Sequence, residues 1–162
     1  MNNSKNFNLN VLKGRLAEQL VQDLFANSGY NIFNYGLERI QPSLSKLIRN
    51  NQNKTSKALR YMPDFVVQSA VNGDLFYMEV KFRANGKFSF DEQYQDYPYK
   101  NAWFVIVSPH KIQCMHYKLL SRGASITAET NYSLSKVKSL HIDADLLTQY
   151  SFYAQQLFKS FQ

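Results

Sequence analysis

Met62-Pro63-Asp64-Phe65-Val66-Val67, followed fifteen positions after its aspartate by Glu79-Val80-Lys81, is the stretch on which the reading of this chain turns. Pro63 to Ser69 and Leu75 to Arg83 are rich in β-branched and aromatic residues and read as strands. Between them, Val71-Asn72-Gly73-Asp74 carries Asn-Gly, a strong short-range hairpin signal. Asn72 lies eight positions after Asp64 and seven before Glu79. Antiparallel pairing about that turn therefore brings Asp64 and Glu79 to the same end of a sheet. Side chains alternate along a strand, so Glu79 and Lys81 share one face and Val80 takes the other.

Before this pair, Leu9, Leu12, Leu16, Leu20, Val21 and Leu24 recur at steps of three and four, which predicts an amphipathic helix over 9–25 closed by Ser28-Gly29. Tyr30 to Tyr35 predicts a first strand. From Arg39 to Arg60 the chain carries Arg39, Lys46, Arg49, Lys54, Lys57 and Arg60 without an acidic residue. We read part of it, around Leu44 to Ile48, as helical and the rest as a mobile basic insertion. After the pair, Phe88 to Tyr97 is compatible with a helix that Pro98 ends. Ala102 to Ser108 reads as a strand buried on both faces, and Ile112 to Tyr117 as the next, turning at Pro109-His110. Ser121 to His141 predicts no definite element. A last helix follows Asp143 or Asp145, with Leu146, Leu147, Tyr150, Tyr153, Ala154, Leu157, Phe158 and Phe161 on one apolar stripe. That stripe has two readings, packing on the sheet or contributing to a homodimer.

At 162 residues the chain fits one domain, 1–162, able to bury a core without staples. Nineteen Lys and Arg against 12 Asp and Glu give a net charge of +7, which favours polyanions as partners, nucleic acid first. One cysteine, Cys114, excludes an internal disulfide and fits a reducing cytosol. No signal-peptide core follows Met1, and the longest apolar run, Ala102 to Val107, is too short to span a bilayer, so a cytoplasmic protein with no membrane partner is expected.

Two carboxylates and a lysine are what a hydrolase needs to act on a phosphodiester with a hard cation. Mg²⁺ takes oxygen ligands and keeps several waters, so Asp64, Glu79, a backbone carbonyl and a phosphate oxygen make a sufficient set. Lys81 can hold or deprotonate a water, or neutralise charge growing on the phosphate. Arg60, Arg83 and Lys87 flank the pair, and Lys13 and Arg15 begin the helix before it; these can hold phosphates, which position a nucleic acid without reading its sequence.

The order helix, strand, hairpin with Pro63-Asp64, then Glu79-Val80-Lys81 resembles the PD-(D/E)XK nuclease superfamily, including its Holliday-junction-resolvase-type members. The resemblance covers roughly residues 9–118 and implies an α/β fold with a restriction-endonuclease-like core, a central mixed sheet flanked by helices in αβββαβ order, to which this chain adds a C-terminal helix. It implies a metal-dependent DNA endonuclease, DNA being favoured over RNA, with Mg²⁺ as cofactor and Mn²⁺ able to substitute. Asp64, Glu79, Lys81 and Glu18 would be catalytic, with Asp64, Glu79, the Val80 carbonyl and Glu18 on the metal. Glu18 enters through Gly14-Arg15-Leu16-Ala17-Glu18, which matches a Gly-x-x-x-Glu pattern. Gln93 is the candidate to line the cleft from the helix after the third strand. The insertion at 39–60 is longer than a minimal resolvase would carry.

Two rivals stand beside this reading: a non-catalytic nucleic-acid-binding module on the same fold, and an interaction protein docking through its terminal aromatic helix. His110, His116 and His141 show no zinc-like spacing with Cys114 and receive no role. Phosphate-cradling loops, nucleophile elbows and dinucleotide fingerprints are absent from the sequence.

Overall fold

A computed structural model describes all residues except 1, 38–40, 42, 44–46, 49, 52 and 162, and the backbone but not the side chains of 2–7 and 93. The first helix, α1 (Asn2–Asn27), runs further toward the N-terminus than its apolar stripe. Ala17, Val21, Leu24 and Phe25 are fully buried, whereas Val11 and Leu12 stay largely exposed. Only the second half of α1 is therefore a core helix. The chain leaves it through Ser28-Gly29 into β1 (Tyr30–Asn34).

β2 (Phe65–Ser69) and β3 (Leu75–Phe82) form the expected antiparallel hairpin, with Phe65 opposite Met78 and Gln68 opposite Leu75. Gly73 turns it at φ 76°, a left-handed conformation that side chains resist, and Asn72 accepts from the Asp74 amide through its side-chain oxygen at 3.1 Å. β5 (Ala102–Val107) pairs parallel to β3, and β6 (Ile112–His116) antiparallel to β5. The result is a mixed five-stranded sheet in the order β1-β2-β3-β5-β6, with β3 at its centre. The near-continuous apolar reading of 102–108 is explained: five of the six residues of β5 are buried.

The two faces of this sheet differ. Phe65, Val67, Met78, Val80, Val105, Val107, Ile112 and Cys114 face α1 and the last helix, α4 (Ala144–Lys159). Asp143 caps α4 by accepting from the Leu146 amide at 2.9 Å. Leu147, Tyr150, Ala154 and Phe158 of the stripe are buried, so it packs onto the sheet layer, while Tyr153 and its neighbour Phe152 point outward. The opposite face carries Ala102, Phe104, Ile106 and Met115 under Phe88, Tyr94, Tyr97, Leu120 and Ile126.

Two expectations are corrected here. Phe88 to Tyr97 is not a helix: it forms β4 (Phe88–Ser89), paired antiparallel with β7 (Ser125–Ile126), and a single 3₁₀ turn over Glu92–Tyr94. Its aromatics decide this, because Phe88, Phe90, Tyr94 and Tyr97 all reach Phe104, at ring separations of 5.0–5.8 Å, and one helical face could not present all four. The αβββαβ order therefore lacks its second helix. In the basic insertion, Lys54–Arg60 is not a loop but the helix α2, capped by Asn53, which accepts from the Ser56 amide at 2.8 Å. It is held down through Ala58, whose carbonyl accepts from the Tyr99 hydroxyl at 3.2 Å. Of the helix expected around Leu44 to Ile48, Leu47 and Ile48 are helical, and 44–46 lie outside the described residues. The stretch without a predicted element holds β7 and a 3₁₀ turn over Leu134–Lys136, and a short helix, α3 (Tyr117–Leu120), follows β6. Among the described residues no helix is long and apolar enough to cross a membrane.

Candidate active site

β3 outruns β2. The ladder between them ends at Phe65 and Met78, leaving Glu79 to Phe82 joined only to β5. Continuing the register places Asp64 opposite Glu79, as the spacing about Asn72-Gly73 required. Asp64 there replaces the missing strand: its Oδ2 accepts from the Val80 amide at 2.7 Å. The amide and carbonyl of a strand residue leave on the same side, so the Val80 carbonyl points to the side on which Asp64 lies. Arg83, of the opposite parity, donates its amide to Val107 on β5 at 2.9 Å, which fits this alternation.

The unpaired edge opens onto a cleft of about 980 Å³. Glu18, Asp64, Glu79, Val80 and Lys81 all line it, together with Lys13, Arg15, Arg60 and Arg83. Residues that lie up to 70 positions apart, from Lys13 to Arg83, thus meet at one place. Asn10, Val11, Gly14 and Gln19 of α1 complete one wall of this cleft, and Val11 is exposed there.

Within the cleft Glu79 is 7% exposed, and the Lys81 ammonium lies 2.5 Å from its Oε1. Burial pushes the Glu79 carboxyl up; the Lys81 charge pulls it back in part, and the Glu18 charge pushes it up again. Burial acts to lower Lys81, but Glu79 outweighs it, helped by Tyr94 and Asp64, and the ammonium is held above its ordinary range. The pair is therefore a buried carboxylate demanding positive charge and a lysine that answers it.

Asp64 is fixed from behind as well. Its backbone carbonyl accepts from the amides of Tyr35 and Gly36 at 3.2 and 3.0 Å. A Cβ on Gly36 would stand 3.3 Å from both the Cα and the carbonyl oxygen of Asp64, so the glycine permits this close approach. Sequence reasoning missed Gly36, Leu37 and Met62 as lining residues. The glycine directly after a strand was the available signal for the first.

The supporting cations divide. Arg83 donates to the Phe82 carbonyl at 3.0 Å and lies over the Phe88 ring, at the cleft. Lys13 lines the cleft but is tethered: its ammonium donates to the Phe161 carbonyl at 3.2 Å and sits 5.8 and 5.9 Å from the rings of Phe82 and Phe161. Lys87 does not line the cleft. It is exposed and adds to the field on Glu129, because β4 carries it toward β7 rather than toward β3. The Gln93 side chain lies outside the described residues. Cys114 is buried, and burial pushes its thiol up to about 12, so it stays protonated and inert. His116 caps α3, its Nδ1 accepting from the Lys118 amide at 3.2 Å, which gives it a structural task.

The donor set can be tested against a hard divalent cation. Asp64, Glu79 and the Val80 carbonyl supply oxygen donors only, as such a cation prefers. Burial of Glu79 supplies a need for positive charge, and Asp64 is anchored at the same edge through the Val80 amide. Among the described residues no three of His, Cys, Asp and Glu form a ready ligand cluster. A cation at this edge would rely on two carboxylates and a carbonyl, with Glu79 shared with Lys81. No protein-family model matches the sequence, and no curated protein matches it significantly.

Proposed function

We propose that the chain is a divalent-cation-dependent DNA endonuclease with a PD-(D/E)XK arrangement on a restriction-endonuclease-like core. The observation that carries this reading is the convergence of Glu18, Asp64, Glu79, Val80 and Lys81 on one cleft whose walls bear Lys13, Arg15, Arg60 and Arg83. Asp64, Glu79 and the Val80 carbonyl would hold Mg²⁺, which Mn²⁺ can replace, with Glu18 assisting. The ion, when bound, lowers the pKa of a water and polarises the phosphate.

The chain's own residues do the rest. Asp64, fixed through the Val80 amide, sets the position of the substrate phosphate relative to β3. The Lys81 ammonium, which rests against Glu79, would donate to the attacking water or to a non-bridging phosphate oxygen. Arg60 and Arg83 engage flanking phosphates, giving affinity without sequence readout.

A second reading is favoured by one observation: the Lys81 ammonium already answers the Glu79 charge at 2.5 Å. A protein content with that pair would bind nucleic acid without turnover. Supercoiled, linear, branched and single-stranded DNA incubated with the protein and Mg²⁺ distinguish the two. We expect nicking that EDTA abolishes, and a fall of about 10²–10⁴-fold in Lys81→Ala and Asp64→Ala. Full activity in either variant would sink the mechanism. Salt-dependent DNA binding with no Mn²⁺ heat in calorimetry would establish the binding module.

A further inference from the structure

The mechanism leaves one buried polar group in the aromatic layer unused. Tyr97 is 1% exposed, with its ring fixed against Tyr117, Phe104, Tyr61 and Tyr94 at centroid separations of 5.3–5.9 Å. Its hydroxyl is buried and has no hydrogen-bond partner among the described residues. Buried tyrosines keep a partner as a rule, so an orphan hydroxyl calls for a physical account.

Its surroundings supply one. Phe104, which Tyr97 touches, is the register neighbour of Glu79 across the parallel β3–β5 pair, and both sit on the aromatic side of the sheet. After burial itself, the charges nearest in effect on this hydroxyl are those of Glu79 and then Asp64. Asp64 is already engaged by the Val80 amide. Glu79 is held by Lys81, the residue whose chemical task requires it to leave.

We propose that Tyr97 is a positioning residue for Glu79, its hydroxyl donating to the Glu79 carboxylate when Lys81 turns to a phosphate oxygen. The last step rests on the nuclease reading; the coupling of Tyr97 to Glu79 does not. A phenol suits the task because it donates while staying neutral, so it does not compete for the charge that a cation must meet. Packed rings prevent it from following Lys81. Glu79, buried and stripped of Lys81, turns to that fixed donor and is held there in one orientation.

A double-mutant cycle tests the coupling without activity or metal. Thermal unfolding at pH 8 is compared for wild type, Tyr97→Phe, Lys81→Met and the double variant, with Lys81→Gln replacing Lys81→Met where the latter does not fold. Tyr97→Phe alone should leave Tm unchanged or raise it, since it deletes an unsatisfied hydroxyl. In the Lys81→Met background the same change should lower Tm by several degrees, because the hydroxyl is then the remaining donor to Glu79. Additive effects overturn the proposal. In cleavage assays Tyr97→Phe should lower kcat about tenfold and raise the Mg²⁺ needed for half-maximal rate, with KM for DNA unchanged; equal kcat values overturn the positioning role. A wild type that does not cleave removes the nuclease reading and leaves the cycle to decide on Tyr97.

Discussion

The two faces of the central sheet bury different kinds of side chain and do different things with them. Toward α1 and α4 the layer is aliphatic apart from a few rings; burial raises Tyr30, with the Asp74 charge adding to it, and raises the Cys114 thiol to about 12, which keeps both neutral. Tyr30 there donates to the Leu140 carbonyl, so the polar atom is answered in the resting fold. Toward β4 and the 3₁₀ turn the layer is built from tyrosines and phenylalanines, and Tyr94 and Tyr97 stand in the field of Glu79. An aliphatic layer stabilises without consequence for a buried charge. An aromatic layer with hydroxyls can shape the surroundings of one while remaining dense. The lesson is a division of labour: β3 sends Met78 and Val80 into the first layer, and Glu79 and Lys81 to the side of the second.

The sharpest way to break this comparison is a cavity in the aliphatic layer. Leu24, fully buried on α1, touches the core and does not line the cleft. Leu24→Ala should cost about 2–5 kcal/mol in denaturant unfolding, while cleavage per folded molecule stays at the wild-type level. A matching loss of specific activity at a temperature where the variant is folded would show that the two layers are not separable.

The legibility of the chain follows the same division. The hairpin was readable because its determinants are local: Asn72-Gly73 fixes a turn, and strand alternation then fixes which of Asp64, Glu79 and Lys81 share an end and a face. The buried half of α1 was readable from a stripe at helical spacing. Phe88 to Tyr97 was not, because aromatic residues at those spacings suit a helix or a strand equally, and Phe104, 14 positions beyond Phe90 in sequence, decides between them. Lys87 was misplaced for the same reason, since its direction depends on β4 pairing with the remote β7. Tyr97 carried no local signal at all; a tyrosine among aromatics reads as core, and only its lack of a partner sets it apart.

A smaller effect should come from Gly36, which presses the backbone that carries Asp64. Gly36→Ala leaves every carboxylate in place but forces the Asp64 backbone to yield by a few tenths of an ångström, given the 3.3 Å approach of the added Cβ. Since a displacement of about 1 Å can cost 10²-fold in rate, this one should lower kcat about tenfold, with unfolding little changed. An unaltered kcat would mean that Asp64 is positioned through its Val80 bond alone and not through Tyr35 and Gly36.

The smallest expected effect concerns pH at the margin of the sheet. His116 closes β6, packs edge-on against Trp103 at 5.0 Å, and caps α3 through an unprotonated Nδ1. Burial lowers its pKa in the fold, and the Lys118 charge lowers it further. A depressed folded-state pKa means that protonation is favoured on unfolding, so the stability this residue contributes is present above its ordinary value of about 6.5 and is lost as pH falls through the lower folded value. Tm should therefore decline slightly on acidification below about pH 6.5. His116→Asn, which can cap a helix but cannot titrate, should flatten that decline relative to wild type. An identical slope in the variant would take the acid sensitivity away from His116, and Glu79 could not inherit it, since its raised carboxyl favours the fold on acidification.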